Sequence, residues 1–337
     1  MELSKDRKKW LYWRVVNTNP LVTISSIDLD KVVLPDVMGD MAELFSQTAG
    51  IHFLVPTWNM ENADLKPIRD SLKRVSDLLP KHRFIVTAAS ELEVFRLSSH
   101  AIKCMPCNPC IFQDETRWTI QQSGYDVLPK SDAAYNAIFA KFKRHELCAE
   151  LDNPLFIYGF NVNGDKSDRM EDIKAICPSG VFVNHALNDG DYKLLNEVEI
   201  GRVLRNVRTS LCLSEAEGHM RASIQSLLCG VPVVSTPSIG GRDRYYSDDT
   251  AVIVEPTSSA VRAGVADLKA RNLSPEAVRA ATLEMLNFDR RSFIGGVNKI
   301  VRRFHGSGAP EITLKPFIGW RFKAKETSEF IEKMLGS

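Results

Sequence analysis

The stretch from Leu211 to Pro256, LCLSEAEGHMRASIQSLLCGVPVVSTPSIGGRDRYYSDDTAVIVEP, leaves the chain little choice of fold. Leu211-Cys212-Leu213 is a short apolar run of the size of a buried parallel strand. A polar turn, Ser214–Gly218, follows. Met220, Ile224, Leu227 and Leu228 then fall at i, i+4, i+7 and i+8, one apolar face of a helix. Gly230 stops that helix, and Val231-Pro232-Val233-Val234 starts the next strand. The unit is strand, loop, helix, strand, with Glu217 and Gly218 at the helix mouth. Such a mouth offers free backbone N–H groups and the positive end of a helix dipole to an anion.

The rest of the second half alternates in the same way. Strands are expected at Tyr135–Phe139, Leu155–Tyr158, Val181–Val183 and Ala251–Val254. Helices are expected at Lys143–Leu151, Asp168–Ile176 and Tyr192–Val207, with more helix to about Arg303. Strands separated by helices mean right-handed crossovers and a doubly wound sheet, whose ligands sit at the C-terminal strand ends. The first half is less regular. Val15-Val16, Val22–Ile24, His52–Val55 and Phe84–Thr87 read as strands, and 62–80 as an amphipathic helix with Leu65, Ile68, Leu72 and Val75 on one side. Helices are also expected near Met38–Gln47 and over Glu91–Leu97, and a short strand opening at Ala101-Ile102. The fold class is therefore α/β with mainly parallel sheets. At 337 residues the chain suits two domains, divided near Gly124–Pro129, which has the look of a linker.

Composition removes several classes of function. A net charge of +1 with no long basic block gives no field for nucleic acid. No run of about 18 apolar residues is available to span a membrane, and the start MELSKDRKKWLYWRVV lacks the apolar core of a signal peptide. Lys5, Arg7, Lys8 and Lys9 beside Trp10, Leu11, Tyr12 and Trp13 could touch an anionic membrane surface; the simpler reading is a solvated arm. Seven scattered cysteines fit a reducing cytoplasm better than a disulfide framework. Cys104, Cys107 and Cys110 have the spacing of metal ligands, but nothing nearby completes a tetrahedral set, so structural thiols are expected. Asp28-Leu29-Asp30 spells a D-x-D that could hold a divalent ion and that also arises readily by chance.

Glu217-Gly218, Ala222, Gln225, Gly230, Pro232-Val233-Val234, Thr236 and Gly240-Gly241 together resemble the donor-binding region of retaining glycosyltransferases of the GT-B fold, in particular the family 4-like group. There an E-x7-E motif precedes a G-x-P-V-V strand and a Gly-Gly turn. Glu217 keeps the first acid, whereas Gln225 stands eight positions on where the family has Glu. The resemblance is good over the C-terminal half and poor over the N-terminal half. It implies two Rossmann-like domains facing a central cleft. The acceptor-side domain would be residues 1–129, with 307–337 packing back onto it through a last helix at Thr327–Leu335. The nucleotide-sugar domain would be 130–306.

It also implies roles for particular residues. Lys143 and Arg144, at the start of the helix expected there, would clamp the leaving diphosphate; a solvated basic helix end is the plain alternative. Glu217 would contact donor-sugar hydroxyls, or serve only as an N-terminal charge partner. Gly218 would let the backbone approach a phosphate, with the N–H groups of His219 and Met220 bordering the pocket. Gln225 would face the nucleotide ribose. Arg242, in the Gly240–Asp243 turn, would add positive charge or bridge Asp243 or Asp248 on the surface. Asn108, Asp114 and Glu115 are weak candidates for positioning an acceptor, as are His52, His82 and His100; all read more simply as ordinary loop or structural residues.

The expected activity is metal-independent transfer of a sugar, with retained configuration, from a nucleotide-sugar donor to a glycan or lipid-linked acceptor. The setting is polysaccharide biosynthesis in the cytoplasm or at the inner membrane surface, with no cofactor. A GT-B sugar-nucleotide epimerase and a non-catalytic nucleotide-sugar-binding relative are the alternatives.

Overall fold

The computed structural model of the chain describes residues 11–27, 45–46, 48–159, 168–218 and 221–319. The expected helices near Met38–Gln47 and at Thr327–Leu335, the basic arm, and Asp28 and Asp30 lie wholly or mostly outside them. The chain divides into two compact units. One takes the chain up to Gln113 and again from Asn287 onward; the other is Asp114–Leu286.

The first unit holds a five-stranded sheet in the order β1 (Leu11–Asn17), β2 (Leu21–Ile27), β3 (Gly50–Pro56), β4 (His82–Ala88) and β5 (Cys104–Pro106). β1 and β2 form an antiparallel edge hairpin; the other neighbours are parallel. Every residue of β3 is buried, as a central parallel strand covered on both faces requires. Helices α1 (Leu65–Leu78) and α2 (Glu91–Ser99) supply one layer, with Leu65, Ile68 and Leu97 packing against Val86 and Ala88. α2 ends in a Schellman motif. Ile102 N–H reaches Leu97 O at 2.9 Å and Ala101 N–H reaches Ser98 O at 3.0 Å, with Ala101 in the left-handed region at φ 57. Ala101-Ile102 therefore closes the helix, and the strand starts only at Cys104.

His52 on β3 and His82 on β4 are fully buried and bonded to each other. Thr23 Oγ1 lies 2.8 Å from His52 Nδ1, His52 Nε2 lies 2.8 Å from His82 Nδ1, and His82 Nε2 lies 2.9 Å from Phe45 O. Since Phe45 O can only accept, one neutral arrangement satisfies the whole chain: His82 Nε2–H donates to Phe45, His52 Nε2–H donates to His82, and Thr23 donates to His52. His100 closes α2 instead, its Nδ1 lying 2.9 Å from Arg96 O.

The second unit carries six parallel strands: β6 (Ser131–Asn136), β7 (Leu155–Ile157), β8 (Val181–Phe182), β9 (Val207–Cys212), β10 (Val233–Ser235) and β11 (Ala251–Ile253). The sheet order is β11-β10-β9-β6-β7-β8. Counted within this unit that is 3-2-1-4-5-6, the order of dinucleotide-binding folds, and the winding reverses between β6 and β9. Its longer helices are α3 (Asp168–Ile176), α4 (Glu197–Leu204), α5 (Arg221–Leu228) and α6 (Ser258–Arg271), and α7 (Pro275–His305) begins here and continues past Leu286 into the first unit. The core runs through Tyr135, Phe156, Leu211, Val234, Val261 and Val265.

Two expected helices come out differently. Lys143–Leu151 is not a helix but two 3-10 turns, Lys141–Lys143 and His145–Cys148, hinged at Arg144 with φ 53. Tertiary partners take the carbonyls a helix would use: Glu215 N–H bonds Phe142 O at 3.0 Å, and the Tyr135 hydroxyl donates to Lys143 O. The helix expected over Tyr192–Val207 shrinks to α4. Asn184 pins Lys193 through both backbone groups, and Asn196 with Glu199 forms a capping box that starts the helix only there. Gly124–Pro129 lies inside the second unit, where Asn206 accepts from Tyr125 N–H at 2.7 Å and donates to Tyr125 O and Leu128 O.

Candidate functional site

At the C-terminal edge of the second sheet, the loop after β6 meets the loop after β9 at the point where the winding reverses. Lys143 Nζ stands 2.6 Å from Glu217 Oε1, with side-chain exposures of 12% and 6%. Ser214 Oγ donates to the same carboxylate oxygen and in turn accepts from Arg242 Nη1 at 2.9 Å. A line of polar groups thus runs from Arg242 through Ser214 to Glu217 and Lys143. The loop after β9 is also stitched to the loop after β10. Glu217 N–H bonds Ile239 O at 3.1 Å and Ile239 N–H bonds Glu215 O at 3.3 Å.

Arg144 lies in the left-handed region, and its side chain turns back across these loops. Its Nε donates to Leu213 O at 2.6 Å and its Nη2 to Thr236 Oγ1 at 2.8 Å. Arg242 is 4% exposed and donates to Ser214 O at 3.1 Å and to Thr236 O; it reaches inward rather than toward Asp243 or Asp248 on the surface. Three cations and Glu217 therefore share one sheet edge, with Glu215 exposed beside them. Burial lowers the Arg144 pKa, while Glu215 acts against that.

Gly218 is buried directly after Glu217, and Gln225 is 8% exposed in the second turn of α5. His219 and Met220 lie outside the described residues. Asn108 caps the turn Pro109–Phe112 by accepting from Cys110 N–H at 3.0 Å. Asp114 accepts from Thr116 Oγ1 at 2.6 Å and from Arg117 Nε at 3.2 Å, bonds that hold its carboxyl below the usual range. The Glu115 carbonyl receives Arg279 Nη2 at 3.0 Å. Asn108 and Asp114 thus each cap their own turn. Cys107 and Cys110 are buried and Cys104 half-buried, all as free thiols, and burial pushes the Cys107 thiol well up. Among the described residues no three His, Cys, Asp or Glu side chains are grouped to hold a metal.

Several members of the site carry no sequence signal. Ser214 is one polar residue in a polar turn, and Tyr135 and His145 read only as core. Beneath the Lys143–Arg144 turn, His145 is 1% exposed and lies between Tyr135 and Phe139, with ring centroids 4.6 and 5.2 Å away. Burial, then the charges of Arg169 and Lys143, push its pKa down to about 3, so it is neutral at physiological pH. Tyr158, Phe139 and Tyr192 form an aromatic group after β6 and β7, where the Tyr158 hydroxyl bonds His185 Nδ1.

The fold these units define is that of the GT-B glycosyltransferases, with two Rossmann-like domains. Among solved structures, the chain is similar to sucrose-phosphate synthase from Thermosynechococcus elongatus, with a TM-score of 0.51 and 14% identity over 79% of this chain and 71% of that one. It is similar to Anabaena HepE in complex with UDP, with a TM-score of 0.50 and 10% identity over 79% and 82% of the two chains. Against the pneumococcal O-GlcNAc transferase GtfA in complex with UDP and GlcNAc, the TM-score is 0.50 and the identity 13%, over 80% of this chain and 55% of that one. No protein-family model and no curated protein sequence matches the chain. Among the described residues no helix is long and apolar enough to cross a membrane.

Proposed function

We propose that the chain is a retaining, metal-independent glycosyltransferase whose nucleotide-sugar donor lies against the C-terminal strand ends of the second unit. The observation that carries this reading is the Lys143–Glu217 ion pair, 2.6 Å long, at the sheet's switch point. A doubly wound sheet binds its ligands there, and an adjacent carboxylate and ammonium suit the two halves of such a donor. When a diphosphate arrives, Lys143 exchanges Glu217 for phosphate oxygens and Glu217 turns to hydroxyls of the sugar. Arg144 and Arg242 act as positioning residues that hold the three loops and keep the edge positive. As the glycosidic C–O bond breaks, negative charge grows on the leaving diphosphate, and charges oriented in advance stabilise it most. The acceptor hydroxyl forms the new C–O bond and its proton passes to the leaving diphosphate. The acceptor is a glycan or lipid-linked sugar, and a peripheral position at the inner membrane surface fits it. The binding of UDP by HepE and GtfA supports a uridine nucleotide as the first donor to try.

The test is a thermal-shift screen of sugar nucleotides, followed by transfer assays with the donor that binds. A donor present well above its Kd raises the melting temperature. Lys143→Ala should lower turnover at least about tenfold, roughly 1.4 kcal/mol of barrier. Binding and turnover unchanged in Lys143→Ala, with the fold intact, would return Lys143 to a purely structural ion pair. Conversion of donor without any acceptor would mark an epimerase instead.

A further inference from the structure

The opposite edge of the same sheet carries a second charged concavity, at the N-terminal strand ends. A cavity of about 760 Å³ is walled by Lys130–Asp132 entering β6, Arg205–Arg208 entering β9, Gly230–Pro232 entering β10, and the end of α6 with the start of α7. Four of its lining side chains are cations, Lys130, Arg205, Arg208 and Lys269, against one acid, Asp132. Glu276 adds a carboxylate that feels Arg205.

Part of this charge has a structural use. Helices α4, α5 and α6 end at this edge, and cations there complement helix C-termini. Arg205 Nη1 donates to Cys229 O at 3.1 Å just past α5, and Lys269 Nζ pairs with Asp132 at 2.7 Å. That explanation does not reach Lys130 and Arg208. Neither lies in the last turn of a helix; Lys130 precedes β6 and Arg208 is the second residue of β9. Both are exposed, and neither side chain makes a hydrogen bond or ion pair among the described residues. The floor is closed by backbone: Gly230 has φ 73, and a Cβ there would lie 2.5 Å from Pro275 O.

We propose that this cavity binds a small phosphorylated molecule, at a site separate from Lys143 and Glu217. Its volume lies in the usual range for small-molecule pockets, about 300–1,000 Å³. Lys130 and Arg208 supply the uncommitted positive charge, Arg208 with the planar fork that grips phosphate. A small ligand is favoured over a nucleic acid because the charge is local: the chain as a whole carries only +1. Bound there, the ligand touches the turn that ends α5, the helix that follows Gly218.

The experiment is calorimetric titration of inorganic pyrophosphate into the wild type, Lys130→Ala/Arg208→Ala, Arg208→Glu and Lys143→Ala, each checked for an unchanged melting temperature. The wild type should bind pyrophosphate, and Lys143→Ala should keep that binding. The double variant should weaken it at least tenfold, and Arg208→Glu should do the same by charge reversal. Binding lost in Lys143→Ala but kept in the double variant would overturn the proposal, because the event would then belong to the other edge. So would no pyrophosphate binding by the wild type, or heparin binding without pyrophosphate binding, which would indicate an extended polyanion partner.

Discussion

Acid should unfold the first unit through its buried histidine pair. His52 and His82 are 0% and 1% exposed and joined in the chain Thr23–His52–His82–Phe45. Burial, and for His52 the neighbouring His82, push the first pKa well below its ordinary value. Burial also lowers that of His82, with Arg83 and Lys81 acting the same way and the carbonyl of Phe45 opposing. A proton added to His82 Nδ1 would meet the His52 Nε2–H, and one added to His52 Nδ1 would force the Thr23 hydroxyl to turn from donor to acceptor. Below about pH 6.5 the unfolded chain therefore binds protons that the folded chain refuses, and stability falls as pH falls. Over the pH range in which the unfolded imidazole is protonated and the folded one is neutral, each group contributes a slope of up to about 1.4 kcal/mol per pH unit. Glu93, whose carboxyl burial raises, works in the opposite sense, equally in wild type and variant. The assay is urea unfolding at several pH values, with hydrogen exchange of the β3 amides to report on this unit. In His82→Gln the amide can still accept from His52 and donate to Phe45 O, but it cannot titrate. Its pH slope below about pH 6.5 should be shallower, by up to about 1.4 kcal/mol per pH unit, whatever its stability at neutral pH. Parallel curves for wild type and variant would refute the reasoning.

The proposed sugar transfer should persist in excess chelator; complete loss restored by manganese or magnesium would contradict the role given to Lys143 and promote Asp28 and Asp30. Gln225→Ala should weaken donor binding by about 1 kcal/mol, measured by calorimetry, and much less for a 2′-deoxy donor; equal losses with both would mean that Gln225 does not meet the ribose. Gly230→Ala should destabilise the second unit by at least about 2 kcal/mol in denaturant unfolding, because a Cβ would sit 2.5 Å from Pro275 O at φ 73; an unchanged midpoint would show that the turn relaxes freely.

Most of the architecture was legible because it rests on local pattern. Helix α1, helix α3, strand β4 and the unit from β9 to β11 follow from apolar spacing, caps and glycine stops, which act between residues a few positions apart. The presence of Glu217 beside a helix mouth was legible for the same reason. Elsewhere the deciding partner is remote in sequence. The segment after Ala140 has the composition of a helix, but Tyr135, Leu213 and Glu215 claim its carbonyls and its arginine, so it becomes two turns around Arg144. Arg242 looks like a surface charge until Ser214 and Thr236 are seen to receive it. His52 and His82 are single histidines in separate strands, and only the register of β3 against β4 sets Gly50 opposite His82 and brings the two rings together. Sequence alone determined which segments bury an apolar face, since that depends on periodicity within each segment. Tertiary structure decided which polar groups meet, because a hydrogen bond needs its partner within about 3 Å and pattern within one segment carries no information about another.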